Sequence, residues 1–221
     1  SSFILGGRTT YSNWIFRLLP ANSNYHGGKA SFQDANLGLT HKINERNTLH
    51  AYGYFSRDKF SFSNDTTFRY RNINGSLQWH SIFNDRHSMT VTAGYDSYHY
   101  GIEDTFNKFA AYKLNTAVDQ YFAKLNYKSS LSDAHTLSYG LNATFYDLNP
   151  GSLQPVGDSS LVLGRALNHE RALEAALYVS DTWVINEHLS LEAGLRWSQF
   201  LRKGNTKFHG GPEIRLSGKY S

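Results

Sequence analysis

The most reactive side chains in this sequence are its histidines and the acids near some of them. The chain has 10 His and no Cys, which excludes disulfide bonds and thiolate metal ligands. The segment Asn168–Arg171 has a histidine beside an acid but lacks the second histidine of a zinc-binding helix. One other segment combines a histidine with three acids that could transfer protons if they converged, namely Asp96, His99, Glu103 and Asp104. We expect neither a metal site nor a cofactor nor enzymatic activity. A protease that uses this segment remains part of the alternative function.

Basic, amide and aromatic side chains are the second group that could bind a ligand. The net charge is +4, from 22 basic and 18 acidic residues without a basic run, so nucleic-acid binding has little support. Binding function concentrates on loops, and charged positions on strands can also contact a ligand. The candidate binding residues are Tyr25, His26, Arg69, Tyr70 and Arg71 in or near loops, and Lys124, Asn126 and Arg196 on strands.

Alternating polar and apolar residues predict that β-strands position these side chains. The stretch 72–80 alternates apolar residues such as Leu77 with polar residues such as Gln78. The predicted strands, about ten in number, are Ser2–Ile15, Ala30–Asn44, Thr48–Ser63, Phe68–Asn84, Ser88–Phe106, Thr116–Ser132, Thr136–Leu148, Arg171–Asn186, Leu189–Arg202 and Phe208–Ser221. The long connections between them are Arg17–Gly28, Asn64–Thr67, Asn107–Asn115, Asn149–Glu170 and Gly204–Lys207.

The same short turn motif occurs four times along the chain. Each copy has an apolar residue, a small polar residue, an acid and one or two polar residues before a new alternating run, as in Ile43–Leu49, Phe83–Met89, Leu131–Leu137 and Ile185–Leu191. This pattern predicts tight hairpins. Because the remaining connections are longer, all the short turns fall at one end of the strands, as in an outer-membrane β-barrel.

The length and polarity of the predicted strands favour a membrane barrel over a soluble sheet. No stretch of 18 apolar residues exists, so the chain has no transmembrane helix. The strands of about 13–19 residues exceed the usual 5–6 of soluble sheets, and open sheet edges cannot exist in lipid. We therefore predict an all-β, antiparallel transmembrane β-barrel. Asp181 falls on an apolar face, either because it lies near the membrane interface or because a bulge shifts the register.

Several segments resemble TonB-dependent outer-membrane receptors, especially those of Bacteroidetes-type bacteria. Ser2–Tyr11 resembles the strand opening SFI-x-x-GRRTY, with Thr9 in place of the second arginine. Asp34–Leu37 through Asn44 and then Tyr52–Asp58 look like the next hairpin of that family.

Two further segments carry the same resemblance. Arg69–Asn72 stands where these receptors often have Arg-Trp-Gly-Asn. Ala176–Trp183 followed by Leu191–Trp197 is similar to a hairpin that is common across the class. The motifs occur in the family's order over most of the 221 residues.

The resemblance implies a barrel of about 22 strands whose lumen holds a plug domain. Residues 1–221 would be a segment of that barrel, and we expect that both ends are cuts and that the plug, the TonB box and the terminal strands lie outside this sequence. A scarce nutrient would bind to loops and lumen and cross the outer membrane when the TonB–ExbB–ExbD complex moves the plug. Other implied partners are outer-membrane lipid, lipopolysaccharide and a surface lipoprotein. The alternative is a complete small outer-membrane barrel that acts as a rim protease or adhesin.

Overall fold

The computed structural model describes residues 1–10, 12–23, 25–61, 65–204 and 209–220. Tyr11 and most of the predicted connection 204–207, together with the predicted boundaries at Ser63, Asn64, Phe208 and Ser221, lie outside these residues. The elements are β1 (Ser2–Thr9), α1 (Asn13–Phe16), β2 (Lys29–Lys42), β3 (Asn47–Ser61), β4 (Thr66–Asn84), β5 (His87–Asp104), β6 (Tyr112–Ser130), β7 (His135–Pro155), β8 (Arg165–Ala166), β9 (Glu170–Val184), β10 (Leu189–Arg202) and β11 (His209–Tyr220).

All strands belong to one antiparallel sheet, which confirms the predicted fold class. Each strand pairs with the next along the chain, except that the two-residue β8 pairs with β7 and β9 then also pairs with β7. Within the described part of the chain, β1 and β11 each have a partner on one side only. No helix among these residues is long and apolar enough to cross a membrane.

The four predicted turns are all present, and their small polar residues explain the repeated motif. The side-chain oxygens of Asn44, Asn84 and Asn186 each accept the backbone N–H two residues later, at 2.9 Å in every case. Ser132 Oγ accepts the N–H of His135 at 3.1 Å. A short polar side chain that bonds its own turn in this way lowers the free energy of a tight reversal.

The start of β6 was predicted at Thr116 and lies at Tyr112, and two predicted strand ends were wrong by a larger margin. The first strand ends at Thr9 instead of Ile15, and Asn13–Phe16 forms one helical turn in which the N–H of Ile15 bonds to Ser12 O at 3.0 Å. Trp14, Ile15 and Phe16 are consecutive apolar residues, so no alternation holds them in a strand. The strand β7 continues to Pro155 instead of Leu148, because Gln154 and its neighbours pair with β6 inside the predicted loop.

The described part of the sheet has no hydrophobic core. The buried apolar residues of the described chain are the small Ala111, Ala172 and Ala176, whereas Leu77 is 53% and Leu177 is 63% exposed. A soluble protein with one apolar sheet face would bury that face under a second layer. The apolar face of this sheet therefore needs cover from outside the chain.

Residues of like polarity lie side by side across the strands. We call the face that carries Leu77 the outward face and the face that carries Gln78 the inward face. One outward row contains Leu39, Ala51, Leu77, Ala93, Ala123, Ala143 and Ala175. One inward row contains His80, Thr90, Asn126, Gly140, Tyr178, Arg196 and Glu213.

Glycines indicate which face is crowded. A Cβ added to Gly140 on the inward face would overlap the backbone oxygen of Leu125 and lie 2.8 Å from the Tyr178 hydroxyl. A Cβ added to Gly75 on the outward face would meet no atom within 4 Å. The last pair of strands differs, because a Cβ on Gly210 of the outward face would lie 2.5 Å from Ser198 O, whereas one on Gly211 of the inward face would meet no atom within 4 Å. In the middle of the sheet, crowding on the polar side and open space on the apolar side are expected when the polar side is the inside of a curved wall.

This difference predicts the effect of one methyl group. We expect Gly140→Ala in the full-length protein to lower the free energy of unfolding by about 1–3 kcal/mol, because the Leu125 backbone has to move. Gly75→Ala is the matched control and should stay within about 0.5 kcal/mol of the parent. Urea titration of the protein in lipid vesicles, followed by tryptophan fluorescence, measures both. Equal losses in the two variants would contradict the assignment of the crowded face.

The outward apolar band crosses the rows obliquely. It covers Leu49–Phe55 in β3 and Leu189–Trp197 in β10. The row through Ala51 reaches β10 only at Gln199, beyond that stretch. In a membrane barrel the strands are tilted, so rows of cross-strand partners run at an angle to the membrane plane. An apolar band that lies parallel to the membrane therefore has to cross these rows, as it does here.

The acid that interrupts the apolar pattern lies close to a strand end. Asp181 is three residues before Val184, where β9 ends beside a short turn, and its strand pairs with both neighbours without a register shift. The bulge alternative is therefore wrong. His135 Nδ1 lies 2.7 Å from Asp181 Oδ2 and its ring stacks on Trp183. A polar pair of this kind costs less near the membrane interface than at mid-depth.

Candidate functional site

The eight residues predicted to bind a ligand lie in three places. Lys124, Asn126 and Arg196 line one cavity, Arg69, Tyr70 and Arg71 line a second, and Tyr25 and His26 belong to the connection before β2 and line neither. The sequence prediction had not separated these groups. The three places differ in which side chains they combine and in which face of the sheet they use.

The first cavity lies on the inward face and has a volume of about 510 Å³. Five strands contribute to it, from Lys124 on β6 to Arg215 on β11. Alternation along each strand brings the polar residues to this face, and cross-strand pairing sets Asn126, Gly140, Tyr178 and Arg196 side by side. The absence of a side chain at Gly140 leaves room for the Tyr178 hydroxyl, which donates a hydrogen bond to Asn126 Oδ1.

The charged groups of this cavity have a basic excess. Arg196 Nε donates to Ser198 Oγ at 3.0 Å, and the Ser198 hydroxyl donates to Glu213 Oε1 at 2.8 Å. Arg215 donates to the other oxygen of Glu213 at 3.2 Å. Lys124 forms no ion pair with a described residue, and its ammonium lies 5.1 Å from the centre of the Phe122 ring. The cavity can therefore bind anionic groups.

Tyr178 and Asn142 also line this cavity and were not singled out from the sequence. Tyr178 bonds to a residue 52 positions away, a distance that no local motif reveals. Asn142 Oδ1 is buried without a hydrogen-bond partner among the described residues. The alternation of β7 and β9 was the available signal, because it places Asn142 and Tyr178 on the polar face.

The second place combines side chains from both faces of β4. Arg69 and Arg71 alternate with Tyr70, so the two arginines share the outward face with Ile73 and Tyr70 points inward. The Tyr70 ring packs against the Tyr100 ring, with 5.0 Å between their centres. Only Tyr70 of these three therefore faces the same side as the first cavity.

The third place is a folded connection. The His26 ring donates through Nδ1 to Leu19 O at 2.8 Å, and the His26 N–H bonds to Ser23 O at 3.0 Å. The Tyr25 side chain is about half exposed. Gly27 has a φ of 81° and allows the reversal before β2.

The histidine and three acids that could form a protease site do not converge. Asp96 accepts hydrogen bonds from Asn74 and Gln120 on the inward face, whereas His99 lies on the outward face. Glu103, four residues after His99 on β5, bonds to Arg69 of β4, and Asp104 accepts the Thr66 hydroxyl. The four residues are therefore not brought together in one cluster. The described residues also contain no group of three side chains suited to a metal ion.

Comparisons with known proteins agree with this architecture. The profile of the family "TonB dependent receptor-like, beta-barrel" matches residues 5–220. A search of curated proteins finds no significant match.

Solved structures share the fold at low sequence identity. FpvA of P. aeruginosa, in its pyoverdine-iron complex, is similar with a TM-score of 0.66 and 12% identity over 88% of this chain and 33% of its own. The copper transporter OprC has a TM-score of 0.66 and 9% sequence identity, over 86% of this chain and 33% of its own. The ferric preacinetobactin receptor BauA of Acinetobacter baumannii has a TM-score of 0.63 and 11% sequence identity, over 89% of this chain and 38% of its own.

The chain thus spans about a third of the length of these structures. The family profile covers nearly all of the sequence, and the sheet has the strand order, the alternating polarity and the short turns of a membrane barrel wall. This chain belongs to the TonB-dependent receptor family and is a part of its β-barrel.

Proposed function

We propose that this chain is part of the wall of an outer-membrane transporter that takes up a scarce nutrient in a TonB-dependent way. The observation that carries the proposal is the opposite polarity of the two faces. The outward face is apolar and exposed at Leu77 and Leu177, which suits contact with lipid. The inward face carries the basic cavity around Arg196, which suits a water-filled lumen.

The remainder of the transporter would supply what this sheet needs. Among the described residues, β1 and β11 each present one unpaired edge, and lipid does not tolerate such edges, so we propose that further strands close the barrel. A complete small barrel would instead require β1 to pair with β11, and these strands do not pair. A plug domain would occupy the lumen, and the TonB–ExbB–ExbD complex would move it with energy from the proton gradient.

The nutrient would enter from the long-loop side and pass the inward face. Tyr25, His26 and Tyr70 lie toward that side and would make early contacts, whereas Lys124, Asn126 and Arg196 would line the path. The basic excess of the cavity favours a nutrient, or a segment of the plug, with anionic groups. Structures with this fold carry the names of a copper transporter, a ferric preacinetobactin receptor and a ferric citrate transporter, so a chelated metal is one candidate. Transport would break no bond of the nutrient, and a surface lipoprotein would assist capture.

An uptake measurement with the full-length gene tests this proposal. A strain that lacks the gene should lose growth on one scarce nutrient and regain it, with uptake of the labelled compound, when the gene is restored. Deletion of TonB or addition of a protonophore should abolish that uptake. Uptake that continues without TonB, or a strain whose growth is unaffected on every metal chelate, cofactor, glycan and peptide supplied, would overturn it.

A further inference from the structure

Asp58 lies on the inward face of β3, on the long-loop side of the sheet. Its neighbours in sequence, Arg57 and Lys59, are basic, but alternation along the strand places them on the outward face. Asp58 is partly buried and forms neither a hydrogen bond nor an ion pair with another described residue. A carboxylate therefore faces the inside of the wall without a counter-charge from the described chain.

Aromatic rings border this carboxylate on both sides. Asp58 is the cross-strand partner of Phe32 on β2 and of Tyr70 on β4. Directly opposed side chains have Cβ atoms about 5 Å apart, so both rings lie beside the carboxylate. Phe60, two residues after Asp58 on the same face, lies 6.4 Å from the centre of the Phe68 ring. We call Phe32, Asp58, Phe60, Phe68 and Tyr70 the aromatic-acid site.

The adjacent part of the wall already binds one cation with the same combination of groups. Arg8 on β1 donates through Nε to Asp34 at 2.9 Å, and its guanidinium carbon lies 4.9 Å from the centre of the Phe32 ring. A carboxylate and the face of an aromatic ring both stabilise a cation. Asp34 thus has its cation within the chain. Asp58, one inward row nearer the long loops, has the carboxylate and the rings but no cation from the described residues.

The other inward acids of this region increase the negative charge. Asp96 accepts hydrogen bonds from the amides of Asn74 and Gln120, and Asp104 accepts the Thr66 hydroxyl. These donors are neutral, so they satisfy the acids without removing their charge. None of the three inward acids of β3 to β5 forms an ion pair with a described residue. This part of the inward face therefore attracts cations, in contrast to the basic first cavity.

We propose that the aromatic-acid site binds an ammonium or guanidinium group of the nutrient, with Asp58 as the counter-charge and the neighbouring rings against the cation. The site lies on the long-loop side, from which the nutrient would enter. The first cavity, which reaches nearer the short turns, prefers anionic groups. A nutrient that carries a basic and an acidic group would satisfy both places. The ligand's identity as a nutrient rests on the proposed function, whereas binding at the site does not require transport.

Saturation-transfer difference NMR on the detergent-purified full-length protein tests the site. The probes are butylguanidinium and butylurea, which has nearly the same shape but no charge. Asp58→Asn should weaken the binding of butylguanidinium by about tenfold, because the carboxylate supplies a charge-assisted hydrogen bond. The weak response to butylurea should stay unchanged. Added salt should weaken the binding of butylguanidinium to the parent more than to the variant.

Two further variants provide the controls. Asp133→Asn removes the same charge from a short turn at the opposite end of the strands and should keep the parental affinity. Asp58→Glu keeps the charge and should retain most of the binding, which shows that the position tolerates substitution. The proposal is wrong if Asp58→Asn binds butylguanidinium like the parent or if Asp133→Asn loses as much. Binding of butylurea as tight as that of butylguanidinium would also overturn it.

The binding measurement is independent of transport, since it needs neither TonB nor a proton gradient. A protein that fails the uptake test but binds butylguanidinium through Asp58 would contradict the proposed function and keep the aromatic-acid site. Parental binding in Asp58→Asn, with TonB-dependent uptake intact, would overturn the aromatic-acid site alone.

Discussion

Leu77→Arg should prevent accumulation of the full-length protein in the outer membrane. Leu77 lies on the outward face within the apolar band, 53% exposed and paired across the strands with Ala51 and Ala93. An arginine at mid-depth on the lipid face of a barrel costs about 2–4 kcal/mol. That loss is a large part of the roughly 5–15 kcal/mol by which folded proteins are stable.

The neighbouring residue provides the matched control. Gln78 receives the same new side chain in Gln78→Arg but lies on the inward face, where it bonds to Thr92 at 3.4 Å. We expect this variant to reach the outer membrane at close to the parental level. Immunoblots of isolated outer membranes, with and without heating to reveal the folded barrel, measure both. If the effects were reversed, with Gln78→Arg lost and Leu77→Arg retained, the face assignment would be wrong.

The inward cavity should govern uptake. Lys124→Gln/Arg196→Gln removes two cations from the cavity wall without adding volume. Hydrogen bonds to charged groups contribute about 1.5–3 kcal/mol each, and about 1.4 kcal/mol corresponds to tenfold. We therefore expect uptake of the nutrient at low concentration to fall by about tenfold or more, with normal amounts of protein in the membrane.

Two lysines outside the cavity test whether charge alone matters. Lys128 and Lys219 lie on the same inward face, nearer the short turns, and do not line the cavity. Lys128→Gln/Lys219→Gln removes an equal charge and should leave uptake within about twofold of the parent, because neither side chain reaches the proposed path. Equal losses in both double variants would assign the effect to the net charge of the lumen. Parental uptake in Lys124→Gln/Arg196→Gln would remove these residues from the path.

Local sequence patterns were sufficient to predict most strands, the short turns and the sheet face on which most side chains lie. Alternation with a period of two assigns Leu77 and Gln78 to opposite faces without knowledge of the partner strands. The turn at Asn44 was predictable because its side chain bonds only two residues ahead. Local patterns failed at Trp14, where three consecutive apolar residues form a helical turn instead of a strand.

Long-range features could not be predicted in the same way. The partner of Asp181 is His135, which is 46 residues away, and the Tyr178–Asn126 contact depends on the register of three strands. The grouping of Arg71 with His99 around one cavity required the pairing of β4 with β5. Residues that share a surface through pairing and tilt become visible only when the sheet is assembled.

The central claim is that the outward face contacts lipid and the inward face contacts water. This chain has no cysteine, so single cysteines can be placed along β6 at each position from Tyr121 to Lys128 of the full-length protein and spin-labelled in a bilayer. We expect oxygen to relax labels at Tyr121, Ala123 and Leu125 most strongly, and a water-soluble nickel chelate to relax the alternate positions. Accessibility without this period of two, or with the two reagents exchanged, would contradict the account.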